Sequence, residues 1–195
     1  MAHPLSEFLY AVSDLYDAEG RSGGTMAADA LRHHASTISD PQEWPNEFET
    51  PVLNALSVKD SPIVELAKHA LPYMRWGGSD LRGDRLPKDL SNAMPFSELI
   101  GPNGLFFDKD VRIGLWMQSP NMVYGPRSHA AEETFYILSG KAHWWNEDDG
   151  ERRIGKDEYV FHRSNIKHTS RTTESHVLAI WRWSGDVGFD KYHLH

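Results

Sequence analysis

From Phe96 to Trp183 the chain is a succession of short apolar runs broken by turn residues. The runs are Gly104-Leu-Phe-Phe, Val111-Arg-Ile-Gly-Leu-Trp-Met, Phe135-Tyr-Ile-Leu, Lys141-Ala-His-Trp-Trp, Glu158-Tyr-Val-Phe and His176-Val-Leu-Ala-Ile-Trp-Arg-Trp. Runs this short, rich in β-branched and aromatic residues, read as strands rather than helices. Asp149-Gly150 falls between two of them and signals a hairpin. The spacing predicts an antiparallel barrel or sandwich over residues 96–195.

The first half has a helical period. Leu5, Phe8, Leu9, Val12, Leu15 and Tyr16 follow the spacing of one helix face, and Gly20 ends the run. Thr25 is placed to cap a second helix through Met26, Ala30, Leu31, His34, Ala35 and Ile38. Ser61-Pro62 opens another, whose apolar face carries Ile63, Val64, Ala67, Ala70 and Leu71. Residues 77–95, rich in Gly, Pro and charge, read as a crossing loop. The expected organisation is a helical region over 1–95 that packs on a barrel over 96–195.

Composition narrows the chemistry. The 195 residues include no cysteine, so any metal must sit on nitrogen and oxygen. A net charge of −8 argues against nucleic acid or an anionic membrane as partner. No apolar run approaches the roughly 20 residues of a membrane helix. The amino terminus lacks a signal pattern, and a cytoplasmic location is expected. The tryptophan content favours a homodimer.

The densest cluster of chemistry runs from Tyr124 to Gly140, where a histidine and a carboxylate lead into an apolar strand. In a regular strand Arg127, His129, Glu133, Phe135 and Ile137 share one face, and Glu132, Thr134 and Tyr136 the other. The apolar members mark the first face as the barrel interior. A carboxylate buried there needs an opposing charge or a metal. His129, Glu133 and a later His168 would hold a divalent ion such as Zn, Fe, Mn, Co or Ni, with positions left open for substrate. His162 reads as a supporting or structural residue, His143 as lining a strand face, and Trp144-Trp145 as barrel wall or oligomer contact. His33, His34 and His69 read as surface residues, and His193 and His195 carry no motif.

On these residues the chain resembles the cupin superfamily. His129, Glu133 and Gly140 fall in register with its first motif, while Arg127 occupies the first-histidine position. In the second motif His168 stays, and Arg163 and Asn165 replace the usual proline and glycine. The chain is similar in particular to the cupin-type dimethylsulfoniopropionate lyases. Tyr124, the His129 to Glu133 segment, Leu138 to Gly140, Phe161 to His168 and the Leu178 to Arg182 ending carry that likeness.

The resemblance implies a mainly β fold, a carboxy-terminal cupin barrel preceded by an amino-terminal helical region. It implies a metal that binds a small carboxylate substrate. A tyrosine then removes the proton beside the carboxylate, and dimethyl sulfide leaves to give acrylate. The family's favoured base position holds Phe135, which cannot transfer a proton. Tyr124 matches a second tyrosine of the family and becomes the candidate base. Tyr136 is the other candidate, brought inward only by a bulge. Arg127, Trp116, Phe135, Trp181 and Trp183 are candidate substrate-binding residues, the aromatic faces attracting a sulfonium. The alternatives are a relative acting on another small carboxylate, as isomerase, hydrolase or dioxygenase, and a non-catalytic cupin binding protein.

Overall fold

A computed structural model describes residues 3–40, 42–59, 61–78 and 88–195. Helix α1 (Pro4–Ala18) starts on a proline, and the His3 ring accepts the Leu5 N–H. Its buried stripe is Leu5, Phe8, Leu9, Val12 and Tyr16, and Gly20 follows with a φ of +72°. Helix α2 (Ser22–Thr37) begins four residues earlier than a Thr25 cap predicts. Gly23 and Gly24 are buried in its first turn, where the helix runs close to Arg182, Ser184 and Tyr16. Helix α3 (Glu49–Ala55) was not anticipated. Its proline sits in the first turn, where it is tolerated, and seven residues are too few to show a period. Helix α4 (Pro62–Ala70) runs as expected and buries Val64, Ala67 and Ala70. The expected loop over 77–95 contains a short helix α5 (Lys88–Asn92), and residues 79–87 of that stretch lie outside the described residues.

The strands are β1 (Phe96–Ile100), β2 (Val111–Gln118), β3 (Val123–Ser128), β4 (Glu132–Asn146), β5 (Gly150–Gly155), β6 (Tyr159–His162), β7 (His168–Arg171), β8 (Val177–Ser184) and β9 (His193–Leu194). All strand pairs are antiparallel, in the order β1-β2-β8-β4-β7-β3-β9, with β5 and β6 each paired to β4. Together they form a cupin barrel behind the helical layer. Gly104-Leu-Phe-Phe, expected as a strand, makes only an isolated bridge between Phe106 and Ile100.

Phe135-Tyr-Ile-Leu and Lys141-Ala-His-Trp-Trp, expected as separate strands, are one strand that bends. Before Gly140 β4 pairs with β8 and β6; after it, with β5 and β7. Gly140 is therefore the corner between two sheets. Its φ is +73°, and a Cβ there would collide with the His176 carbonyl.

Every residue of β2 and β8 is buried, which explains why these runs read as continuously apolar. One face, with Ile113, Leu115, Met117, Tyr136, Leu138, Leu178 and Ile180, shares a core with the helices. The other, with Trp116, Phe135, Ile137, Ala179, Trp181 and Trp183, fills the barrel. A polar joint crosses the helical side. The fully buried Arg182 guanidinium donates to both Glu19 carboxylate oxygens at 2.8 and 2.6 Å, to Ser184 Oγ at 2.9 Å and to Glu132 at 3.0 Å. The Thr134 hydroxyl donates to Glu19 at 2.6 Å.

Removing one member of a buried pair strands the other's charge, at about 3–5 kcal/mol. Glu19→Ala is expected to lower unfolding stability by about that amount in urea titrations. A loss under about 1 kcal/mol would show that α1 is not pinned through this carboxylate.

Candidate metal centre

Three side chains from three segments converge inside the barrel. His129 follows β3, Glu133 is the second residue of β4, and His168 opens β7. All three are buried, and one ligand atom from each lies within 4.8 Å of the others. Glu133 Oε2 is 3.6 Å from His129 Nε2 and 3.3 Å from His168 Nε2.

The outer atoms are all engaged. His129 Nδ1 bonds the Ala131 carbonyl at 3.0 Å, and His168 Nδ1 the Ile166 carbonyl at 2.9 Å. A carbonyl only accepts, so each Nδ1 carries a proton and each ring turns its Nε2 toward the centre. Trp183 Nε1–H donates to Glu133 Oε1 at 2.7 Å, which leaves Oε2 for the centre. His129 Nε2, His168 Nε2 and Glu133 Oε2 are buried and have no hydrogen-bond partner among the described residues.

Burial pushes the Glu133 carboxyl up, but the two imidazoles beside it hold it well below the usual carboxylate range. Burial, reinforced by the Arg127 guanidinium, lowers His168 to about 4. His129 Nε2, Glu133 Oε2 and His168 Nε2 thus face one point. That set fits a divalent ion, and the ring N–H bonds supply the outer support that such ligands need.

The loops that carry the ligands are bonded to each other. Asn165 N–H donates to the His129 carbonyl at 2.8 Å, and Ser164 Oγ to the Ala130 carbonyl at 2.6 Å. Asn165 has a φ of +61°, a conformation asparagine tolerates, so it stands in for the glycine of the usual motif.

A cavity opens beside the three ligands. Trp116, Tyr124, Arg127, Phe135, Trp181 and Trp183 line it together with Glu133. Strand parity therefore holds for Arg127, Glu133 and Phe135, although β3 and β4 are separate strands with a turn at His129. Tyr136 faces the helices and its hydroxyl donates to Asp157 at 3.2 Å. The inward turn by a bulge, expected of it as a candidate base, does not occur. The register shift in β4 comes later, between Ile137 and Ser139. Arg127 is buried, and its Nη1 donates to the Tyr124 carbonyl at 2.8 Å. Its Nη2 has no hydrogen-bond partner among the described residues, and the guanidinium lies 4.0 Å above the Tyr124 ring.

Sequence reasoning missed Met94, Phe96, Phe189 and Tyr192, which complete the cavity wall. Tyr192 bonds Tyr124 through the two hydroxyls at 2.6 Å. No local spacing marks these residues, since the fold alone brings them to the barrel. His162 is buried and stacks on His168, with centroids 4.1 Å apart, rather than joining the ligands. His143 pairs with Glu151 near the surface, Trp144 fills the barrel, and Trp145 is half-buried. His195 contacts the Ser128 hydroxyl at 2.9 Å. Among the described residues no helix is long and apolar enough to cross a membrane.

A cupin barrel with an interior set of two histidines and one glutamate is the class that this fold and site define. The model of the dimethylsulfoniopropionate lyase family matches residues 45–179, and the chain belongs to that family. The dimethylsulfoniopropionate lyase DddQ of Ruegeria pomeroyi is 31% identical over 106 residues, 54% of this chain and 53% of that protein. The chain thus matches about half the length of this curated relative. The crystal structure of DddQ from the same organism superposes with a TM-score of 0.64 at 24% identity, over 94% of this chain and 96% of that one. A structure of the lyases RdDddP and RnDddQII gives 0.65 at 18% identity, over 97% and 99%. Both structures share the fold.

Two outcomes follow from the geometry. Adding a divalent ion to chelated protein at about a hundredfold over its Kd is expected to stabilise the fold by about 2.7 kcal/mol. Glu133→Ala should abolish that gain in thermal unfolding, and an undiminished gain would place the ion elsewhere. The metal-free protein should also lose stability as the pH falls from 6.5 to about 4. Below 6.5 the unfolded chain takes up a proton on His168 that the folded chain refuses until about 4, so protons favour unfolding. Urea midpoints of chelated wild type and His168→Gln across this window check it; equal slopes would contradict it.

Proposed function

We propose that the protein is a metal-dependent lyase that cleaves dimethylsulfoniopropionate to dimethyl sulfide and acrylate by β-elimination. The observation that carries this reading is the meeting, around one cavity, of Glu133 from the His129–Glu133–His168 set, the Arg127 guanidinium with its unpartnered Nη2 and an aromatic wall. Family membership and the likeness to DddQ support it.

The substrate has an anionic and a cationic end, and the cavity offers a partner to each. Arg127 Nη2 is a buried donor without an acceptor, and a carboxylate supplies one. Trp116, Phe135, Trp181 and Trp183 present π faces to a sulfonium. When bound, the divalent ion held by His129, Glu133 and His168 supplies Lewis acidity, which makes the C–H beside a carboxylate more acidic.

The proton goes to Tyr124. Phe135 has no ionisable group, and Tyr136, on the far face, is pushed up to about 12 by burial and Asp157. Tyr124 is the candidate whose hydroxyl belongs to a cavity-lining side chain. Burial pushes its phenol up, while Arg127 and the Tyr192 hydrogen bond act in the opposite direction. Tyr124 enters the step as the phenolate; as its oxygen takes the α-proton, the C–H electron pair becomes the new π bond of acrylate. The C–S bond breaks, and dimethyl sulfide departs with the C–S electron pair. The close aromatic walls exclude water from the reacting carbons.

A buried arginine beside a divalent ion also favours a second reading, a substrate with a second carboxylate in place of the sulfonium. Headspace analysis of metal-loaded protein with dimethylsulfoniopropionate separates the two. The first reading expects dimethyl sulfide and an equal amount of acrylate; no release would reject it. Tyr124→Phe should lower kcat by about a hundredfold or more with metal content unchanged. Arg127→Met should mainly raise KM, by about ten- to a hundredfold for a lost charged hydrogen bond.

A further inference from the structure

The Tyr124 hydroxyl does not stand alone. Tyr192 Oη lies 2.6 Å from it, both side chains are buried, and both line the cavity. We infer that Tyr192 is a positioning residue for proton abstraction, its O–H donating to the Tyr124 oxygen so that this oxygen can carry the negative charge of a base. The inference rests on the elimination proposed above.

Three features make the pair directional. A phenolate accepts hydrogen bonds only, so whichever oxygen ionises must receive its bond from the other. The Arg127 guanidinium sits over the Tyr124 ring at 4.0 Å, and charge is therefore better placed on Tyr124. Tyr192 instead lies parallel to the His129 ring, at 6.1 Å between centroids. The charged and titratable groups around Tyr124 are Arg127 on β3, Tyr192 and Glu133 on β4. Burial opposes a negative Tyr124, as does Glu133, which faces the two imidazoles.

The backbone fixes the distance. β9 pairs with β3 at Arg127↔Leu194 and Ser128↔His193, directly after Tyr192. His195 N–H donates to the Pro126 carbonyl at 2.8 Å, and Tyr192 N–H to Phe189 O at 3.2 Å. One strand, β3, thus carries Tyr124 and Arg127 and also anchors the segment that delivers Tyr192. During the step Tyr192 keeps its proton, and the α-proton ends on the Tyr124 oxygen.

The test compares metal-loaded wild type, Tyr192→Phe, Tyr124→Phe and the double variant. Two readouts are used: dimethyl sulfide release, and deuterium exchange at the α-carbon of the trimethylammonium analogue, whose amine is a poor leaving group. Phenylalanine keeps the ring and removes only the donor. Tyr192→Phe is expected to keep its metal content and KM and to lose about ten- to a hundredfold in kcat, the effect of one hydrogen bond to a charged group. Exchange should slow in proportion. The double variant should be no slower than Tyr124→Phe, because the donor acts only through that oxygen.

Wild-type kcat in Tyr192→Phe, a change in KM alone, or fully additive losses in the double variant would overturn the inference and leave the elimination standing. Tyr192-dependent exchange without dimethyl sulfide release would uphold the pair and reject the substrate. Neither exchange nor release by the wild type would overturn both.

Discussion

Two imidazole nitrogens and one carboxylate oxygen meet inside this barrel, and among the described residues none of them has a hydrogen-bond partner. Much of the surrounding structure serves to keep them so. Backbone carbonyls take the outer ring N–H groups, Trp183 takes the other carboxylate oxygen, and Asn165 ties the His168 loop to the His129 turn. An arrangement of buried acceptors is costly by itself, and a cation reverses the sign of that cost.

The β2–β8–β4 sheet is buried on both faces. The barrel interior around the three side chains is filled by Trp116, Phe135, Trp144, Trp181 and Trp183. The opposite face of the sheet is equally apolar and would be exposed without α1, α2 and α4. The helices thus act on the site through the sheet. The Arg182–Glu19 joint adds a directional contact to otherwise non-directional packing and reaches the strand that carries Glu133.

Much of this was legible in the sequence because period and burial coincide there. The α1 stripe, the Pro62 helix start, the Asp149-Gly150 turn and the inward parity of Glu133 and Phe135 follow from spacing of two or 3.6 residues. The misses share a cause: tertiary contact overrode a local signal. Gly140 reads as a strand end, yet pairing with β5 and β7 carries β4 through it. Thr25 reads as a cap, but the glycines before it join the helix because α1 and the sheet approach too closely for larger residues. Asn165 reads as a break in the metal-site motif and proves to hold the same backbone shape. Tyr192 was illegible, since only the pairing of β9 with β3 brings it to Tyr124.

The most direct measurement is anomalous scattering at the absorption edge of the bound metal, from crystals of the metal-loaded protein. The account predicts one strong peak inside the barrel, at roughly 2.0–2.2 Å from His129 Nε2, His168 Nε2 and Glu133 Oε2. A peak on the surface, for instance at His193 and His195, with the interior point filled by water, would contradict it.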